Sequence, residues 1–77
     1  METTLNHLEL GREAKILAIQ TETALRRRLF DHGLIEGTYV RCLQKKRRGD
    51  AAIYLVRGSM LALRGADSAR IRVEAEE

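Results

Sequence analysis

Residues 26–37, Arg-Arg-Arg-Leu-Phe-Asp-His-Gly-Leu-Ile-Glu-Gly, predict the end of an amphipathic helix, a glycine stop and a turn into a strand. Leu25 and Leu29 lie four residues apart on one helix face, and Leu34 follows the helix end to cover the same core. Gly33 comes after the last periodic residue, where a left-handed cap favours a residue without a Cβ atom. This segment therefore predicts local architecture and also carries a dense positive charge on its polar side.

The flanking sequence predicts short strands around this helix. Apolar alternation and β-branched residues indicate strands at residues 13–20, 38–44, 51–57, 60–63 and 70–73. Thr21 and Thr23 are candidate N-caps for a helix that runs to about His32. Before the first strand, Leu5 and Leu8 are spaced to hold a short lead-in against the core.

The connections between these strands are short. Gly58-Ser59 has glycine first, as a type II′ hairpin turn prefers. Residues 45–50 form a polar loop that contains glycine, and residues 65–69 form a turn or a single helical turn. We expect residues 74–77 to be a frayed acidic tail. The order is one strand, one helix and four further strands.

A chain of 77 residues is expected to be a single domain, residues 1–77, with a thin core. A small protein with many edge strands protects them best by curling its sheet into a barrel. We therefore expect a mainly β fold: a small SH3-like barrel of about five strands with one α-helix inserted after the first strand. A core this small leaves little room for a deep catalytic cleft.

The cysteine content predicts a protein of a reducing compartment, because the single cysteine, Cys42, has no internal partner for a disulfide. The net charge of the chain is +3. No apolar run approaches the roughly 20 residues that a membrane-spanning helix needs. The first residues lack the basic start and apolar core of a signal peptide. We expect a cytoplasmic protein.

An ordered set of short motifs resembles the ferrous iron transport protein A (FeoA) family, from about Leu5 to Val73. The N-terminal half has Arg-Leu, Gly-Leu and Gly in the family spacing, and the middle has a Gly-Asp loop. The matching residues are Arg28-Leu29, Gly33-Leu34, Gly37, Gly49-Asp50, Val56-Arg57-Gly58, Leu61-Ala62-Leu63-Arg64, Ala69 and Ile71-Arg72-Val73. Glu36 and Ala51 depart from the family, which often has proline there.

The resemblance implies an SH3-like barrel with an accessory role in ferrous iron uptake. The implied partner is the membrane ferrous iron permease that carries a cytosolic GTPase domain, so any membrane contact is indirect. The alternatives are a small barrel associated with nucleic acid and a stand-alone relative of the C-terminal domain of iron-dependent repressors. An open sheet edge can pair with a second copy of the chain, so a homo-oligomer is a further alternative.

The residues predict no catalysis. Ser59 lies in a turn without a neighbouring base, and Asp31 beside His32 is typical of a solvated helix end. The glycines at 33 and 37 lack the Lys and Ser/Thr of a phosphate loop. We therefore expect neither an enzyme nor a nucleotide-dependent protein.

The residues predict no metal site and no cofactor. The imidazole and thiolate ligands are His7, His32 and Cys42, which are widely spaced and form no paired motif. Cys42 alternates with the solvent-side Arg41, so we expect its thiol to fill the core. Regulating iron uptake does not require a protein to hold iron.

Two basic clusters and one aromatic residue are the candidate partner-binding residues. They are Arg26, Arg27, Phe30, Lys45, Lys46, Arg47 and Arg48. The clusters are either solvated charges or a docking patch for an acidic protein surface or an anionic membrane face. The low aromatic content argues against nucleic acid. Consecutive arginines diverge on a helix, so they cannot all meet one partner. For Phe30, core packing is favoured over an exposed apolar contact.

Overall fold

The computed structural model describes residues 1–46 and 51–75, which form one curled sheet with two helices against it. The strands are β1 (Glu2–Thr4), β2 (Glu13–Ile19), β3 (Tyr39–Lys45), β4 (Ala52–Val56), β5 (Ser59–Leu63) and β6 (Ile71–Ala75). The helices are α1 (Thr23–Asp31) and α2 (Gly65–Ser68), and a 3₁₀ turn covers Leu5–His7. The predicted mainly β architecture is confirmed.

All strand pairs are antiparallel, in the order β1-β6-β2-β3-β4-β5. The described residues contain six strands where about five were predicted, and α1 follows the second strand instead of the first. The missed strand is β1, which pairs with β6 so that Thr3 lies opposite Val73. Three residues are too few to show an alternating pattern, and their pairing depends on a strand at the other end of the chain.

The sheet curls around one core to which every strand except β1 contributes. The Tyr54 hydroxyl of β4 donates a hydrogen bond to the Leu5 carbonyl just after β1, at 3.4 Å. In the flat strand order, β1 and β4 are separated by three strands, so this contact requires the sheet to fold back on itself. Register shifts after Ile16 in β2 and after Cys42 in β3 provide the local bends.

The hairpin between β4 and β5 differs from its prediction by one residue. Val56 pairs with Ser59, so the two loop residues are Arg57 and Gly58, with φ values of 50° and 83°. Positive φ at both central positions is the type I′ turn, and the predicted type II′ turn at Gly58-Ser59 is wrong. The inward-facing Val56 and Leu61 set this register, because moving either by one residue would expose it.

Two predicted ends also change. Glu74 and Ala75 belong to β6, where Glu74 lies opposite Lys15 of β2, so the predicted fraying is wrong for these two residues. The remaining tail, residues 76–77, lies outside the described part of the chain. At the start of α1 the N-cap is Glu22, and neither predicted threonine cap occupies that position.

Helix α1 has nine residues, and no helix in the described part of the chain is both long and apolar enough to cross a membrane.

Candidate interaction site

The C-terminal end of α1 is held in place by a compact cap. The Leu34 N–H donates to the Leu29 carbonyl and the Gly33 N–H donates to the Phe30 carbonyl, both at 2.9 Å. Gly33 has a φ of 91°, so these two bonds and the left-handed glycine form a Schellman cap. Leu25, Leu29 and Leu34 are buried, which confirms the predicted core face of the helix. The outer face of α1 is therefore presented on a rigid support.

Phe30 lies on that outer face, with 66% of its surface exposed. The predicted core packing of Phe30 is wrong. The core positions of the helix end are already occupied by Leu29 and by Leu34, and Phe30 points about 100° away from Leu29 around the helix. Phe30 is therefore available at the surface for contact with a partner.

A shallow groove of about 300 Å³ surrounds this side chain, and we call it the Phe30 groove. Its lining combines apolar residues with one charge of each sign: Ile19, Arg26, Phe30, Leu34, Ile35 and Glu36. Ile35 is 38% exposed and extends the apolar surface beyond the helix. Sequence reasoning selected Arg26 and Phe30 but missed Ile35 and Glu36, because they belong to the turn that brings the chain back from the helix to β3.

The three consecutive arginines of α1 diverge as predicted. Arg26 lines the Phe30 groove, whereas Arg28 lines a larger cavity between α1, β5 and α2. Arg27 is exposed and lines neither. The arginine run therefore serves at least two different surfaces.

The second basic cluster lies at the far end of β3. Lys45 is the last residue of that strand, and its Nζ donates a 3.1 Å hydrogen bond to the Asn6 carbonyl of the 3₁₀ turn. Lys46 is exposed, and the candidates Arg47 and Arg48 lie outside the described residues. Lys45 and Tyr39, at the two ends of β3, are separated by about 20 Å of extended strand. The end of α1 lies near the Tyr39 end, because Gly33 approaches Arg57 in the turn between β4 and β5. The two basic clusters therefore lie at opposite ends of the sheet.

Two buried groups carry perturbed acidities. Burial raises the pKa of the Cys42 thiol above its ordinary value of 9.0, with Lys45 acting weakly in the opposite direction. Burial also raises the pKa of Tyr54 above 10.0. Both side chains are fully covered in the core, which confirms the predicted structural role of Cys42.

Within residues 1–46 and 51–75, no three His, Cys, Asp or Glu side chains lie close enough to share a metal ion. His7 contacts Thr4 through its Nδ1 at 3.1 Å, and Cys42 is inside the barrel. The residues weighed for catalysis, Ser59, Asp31 and His32, are exposed and lie on separate elements or at the helix end.

The fold and these surfaces define a small SH3-like domain whose outward features are an apolar groove and basic side chains. The model of the FeoA domain matches residues 3–75, so the chain belongs to the FeoA domain family. This is a family of small SH3-like proteins associated with ferrous iron transport. No curated protein matches the sequence.

Solved structures give the same result. The FeoA protein from Chlorobium tepidum is 29% identical with a TM-score of 0.90, over 97% of this chain and 71% of that one. FeoA from Stenotrophomonas maltophilia, a prokaryotic SH3-domain protein in complex with zinc, is 28% identical with a TM-score of 0.80, over 94% and 89%. A manganese-dependent transcriptional repressor shares the fold alone, at 13% identity and a TM-score of 0.85, over 97% of this chain and 42% of that one.

Proposed function

We propose that this chain is a cytoplasmic accessory protein of ferrous iron uptake that binds the cytosolic part of a membrane permease with a GTPase domain. Membership of the FeoA family supports the link to iron transport. The observation that carries the proposal of direct binding is the Phe30 groove, an exposed apolar surface on a helix whose other face is fixed in the core.

The composition of the groove suits a protein partner. Aromatic residues and arginines are enriched where protein interfaces concentrate their binding energy, and Phe30 and Arg26 lie together here. The Schellman cap holds the helix end before binding, so little conformational entropy is lost on association. Arg26 and Glu36 give the rim one charge of each sign, which favours a partner segment with charges in the opposite order.

The direct test is a binding titration against the cytosolic domains of the permease, with Phe30→Ser as the main variant. We expect this variant to bind at least about tenfold more weakly, because truncating an aromatic contact at the centre of an interface costs about 2 kcal/mol or more. Met60→Ser is the matched control, because Met60 is 70% exposed on β5 and outside the groove. Equal binding by wild type and Phe30→Ser, or equal losses in both variants, would remove the groove from the proposal.

The basic cluster at the end of β3 is proposed to steer the same encounter. Charge reversal at Lys45, Lys46, Arg47 and Arg48 should slow association and reduce its salt dependence while leaving dissociation nearly unchanged. Stopped-flow measurements at two ionic strengths separate these effects. A change confined to the dissociation rate would instead place the cluster inside the interface.

A further inference from the structure

The two edges of the sheet differ in how they are protected. Proteins shorten exposed edge strands, place charges on them or bend them with bulges, because unpaired peptide groups attract other strands. At one edge, β1 has three residues, and its Glu2 forms an ion pair with Arg72 of β6. At the other edge, β5 has the sequence Ser-Met-Leu-Ala-Leu and pairs with β4 without a shift of register. β5, which is described over its whole length, therefore has neither a charge, a proline nor a bulge.

The peptide groups of Met60 and Ala62 point away from β4. In a two-residue hairpin the residues that flank the loop are a hydrogen-bonded pair, here Val56 and Ser59. From Ser59 onward every second residue of β5 is then bonded to β4, and Met60 and Ala62 are not. Among the described residues, no backbone hydrogen bond from another part of the chain involves either of them. The open edge of β5 thus offers the N–H and the C=O group of both residues to a further strand.

A cavity of about 780 Å³ lies beside this edge, and we call it the β5 groove. Its two walls are the end of β5 and one face of α1, and the residues that line them are Ala62, Leu63, Arg64, Glu22, Leu25 and Arg28. Positions 22, 25 and 28 are three residues apart, so they form a row along the helix. Leu25 and Leu63 are buried and give the groove an apolar contact surface. A sheet edge facing a helix suits a single extended chain that lies between them.

The charges of the β5 groove favour carboxylates. The charged residues that line it are Glu22, Arg28, Arg64, Asp67 and Arg70. Arg64 contacts Asp67 at 3.3 Å through its Nε atom, so this pair largely neutralises itself. In the described part of the chain neither Arg28 nor Arg70 forms an ion pair, and Glu22 is the single carboxylate left to oppose them. The excess of positive charge attracts a segment with acidic side chains and disfavours a basic one.

We propose that the β5 groove binds an extended acidic segment of a partner protein, which adds to the sheet as a strand beside β5. The main chain of the segment bonds to the N–H and C=O groups of Met60 and Ala62, and the Met60 side chain takes no part. Its side chains alternate, so apolar ones lie over Leu25 while carboxylates approach Arg28. The β5 groove uses a different face of α1 from the Phe30 groove, and the proposal does not depend on the permease.

The probe is the blocked peptide Ac-Glu-Val-Glu-Val-Glu-Val-Glu-NH₂, titrated into the whole chain and followed by amide hydrogen exchange. In the free chain we expect the Met60 and Ala62 amides to exchange rapidly and the Leu61 amide, which bonds to β4, to exchange slowly. Bound peptide should slow exchange at Met60 and Ala62 by about tenfold or more. The peptide with lysine in place of glutamate should not bind.

Three results would overturn the proposal. The first is no binding of the glutamate peptide, or binding that leaves exchange at Met60 and Ala62 unchanged. The second is equal binding of the lysine peptide. The third is protection of Met60 and Ala62 that grows with protein concentration in the absence of peptide, which would assign this edge to a second copy of the chain.

Two N-methylated forms of the peptide test the main-chain pairing. Successive N–H groups of a strand point to opposite sides, so only every second one faces β5. One form is methylated at the valine amides and the other at the glutamate amides, and both have the same net charge. We expect one form to bind about tenfold more weakly than the other, because it has lost its hydrogen bonds to β5. Equal affinities would indicate simple charge attraction and contradict strand addition.

Variants of the protein test the same contacts from the other side. Ala62→Pro removes an N–H group that β4 does not use, so it should spare the β4–β5 pair and weaken peptide binding about tenfold. Ala62→Ser retains the N–H group and should bind as the wild type does. Arg28→Gln should weaken binding about threefold, whereas Arg27→Gln is the control, since Arg27 lines neither groove. Phe30→Ser should bind this peptide normally, which separates the β5 groove from the proposed permease contact. Equal losses within either pair, at Ala62 or at the two arginines, would contradict the site, and the methylated peptides test it on the unaltered chain.

Discussion

Substitution of Gly33 and of Gly37 allows two energetic costs at a left-handed backbone position to be measured separately. One is the cost of the backbone conformation, and the other is the cost of a steric contact made by the new Cβ atom. Both have a φ of 91°. A Cβ atom built on Gly33 would lie 2.6 Å from Cδ of Arg57, whereas one built on Gly37 would meet nothing within 4 Å. Alanine at Gly37 therefore tests the backbone conformation alone, and alanine at Gly33 adds a steric contact.

The magnitudes follow from these two geometries. Holding an L-residue in the left-handed region costs about 1–2 kcal/mol, and we expect Gly37→Ala to destabilise the protein by about that much. At Gly33 the contact is with a flexible side chain, so moving Arg57 off its rotamer should add about 0.5–1.5 kcal/mol. Effects of alanine on the unfolded chain are similar at both sites and cancel in the comparison.

Urea unfolding measures both free energies, with the m-value as a check that the unfolded state is unchanged. The decisive variant is Arg57→Ala, which removes the colliding atoms. In that background we expect Gly33→Ala to cost no more than Gly37→Ala. If the extra cost of Gly33→Ala persists without the Arg57 side chain, the steric explanation is wrong. If either glycine accepts alanine without loss, the argument from φ fails.

Three other expectations concern stability. Thr21→Val should raise the free energy of unfolding by about 1 kcal/mol in urea titrations, because it removes a buried hydroxyl without a partner; a loss would show that the hydroxyl is satisfied. Arg57→Asn should stabilise the type I′ turn by about 0.5 kcal/mol, since Asn-Gly is the favoured pair, and destabilisation would contradict the turn assignment. The folded state holds the protons of Cys42 and Tyr54 more tightly than the unfolded state, because both pKa values are raised. Stability should therefore be retained below a pH of about 9 and fall as the pH rises above it, less steeply in Cys42→Ala; a rise in stability with pH would contradict the direction of both pKa shifts.

The segment around Gly33 could be predicted in detail because its interactions are local. The two bonds of the Schellman cap join residues within the same turn, and Leu25, Leu29 and Leu34 share a face through helical spacing alone. Strand alternation was equally informative: Val40 and Cys42 are buried while Tyr39, Arg41 and Leu43 face outward. These features need no knowledge of distant parts of the chain.

The turn at Arg57 and Gly58 shows where local signals fail. A glycine followed by serine fits a type II′ turn, yet the register of β4 against β5 depends on which side chains reach the core. Phe30 is a similar case. An aromatic residue next to a core position favours burial, but Leu29 and Leu34 already occupy the space under the helix end.

Local sequence determined the five longer strands, the helix and its glycine cap, because each depends on residues within a few positions of one another. Only the tertiary structure decided the surfaces. Helical spacing alone predicts that the arginines diverge, but only the folded chain places Arg26 beside the turn that follows α1 and Arg28 beside β5 and α2. Thr21 and Arg70, from opposite halves of the chain, lie close together because β2 pairs with β6 and the Gln20 N–H donates a 2.9 Å hydrogen bond to the Arg70 carbonyl. Such proximity depends on the folding of the whole chain, so no periodic pattern in the sequence indicates it.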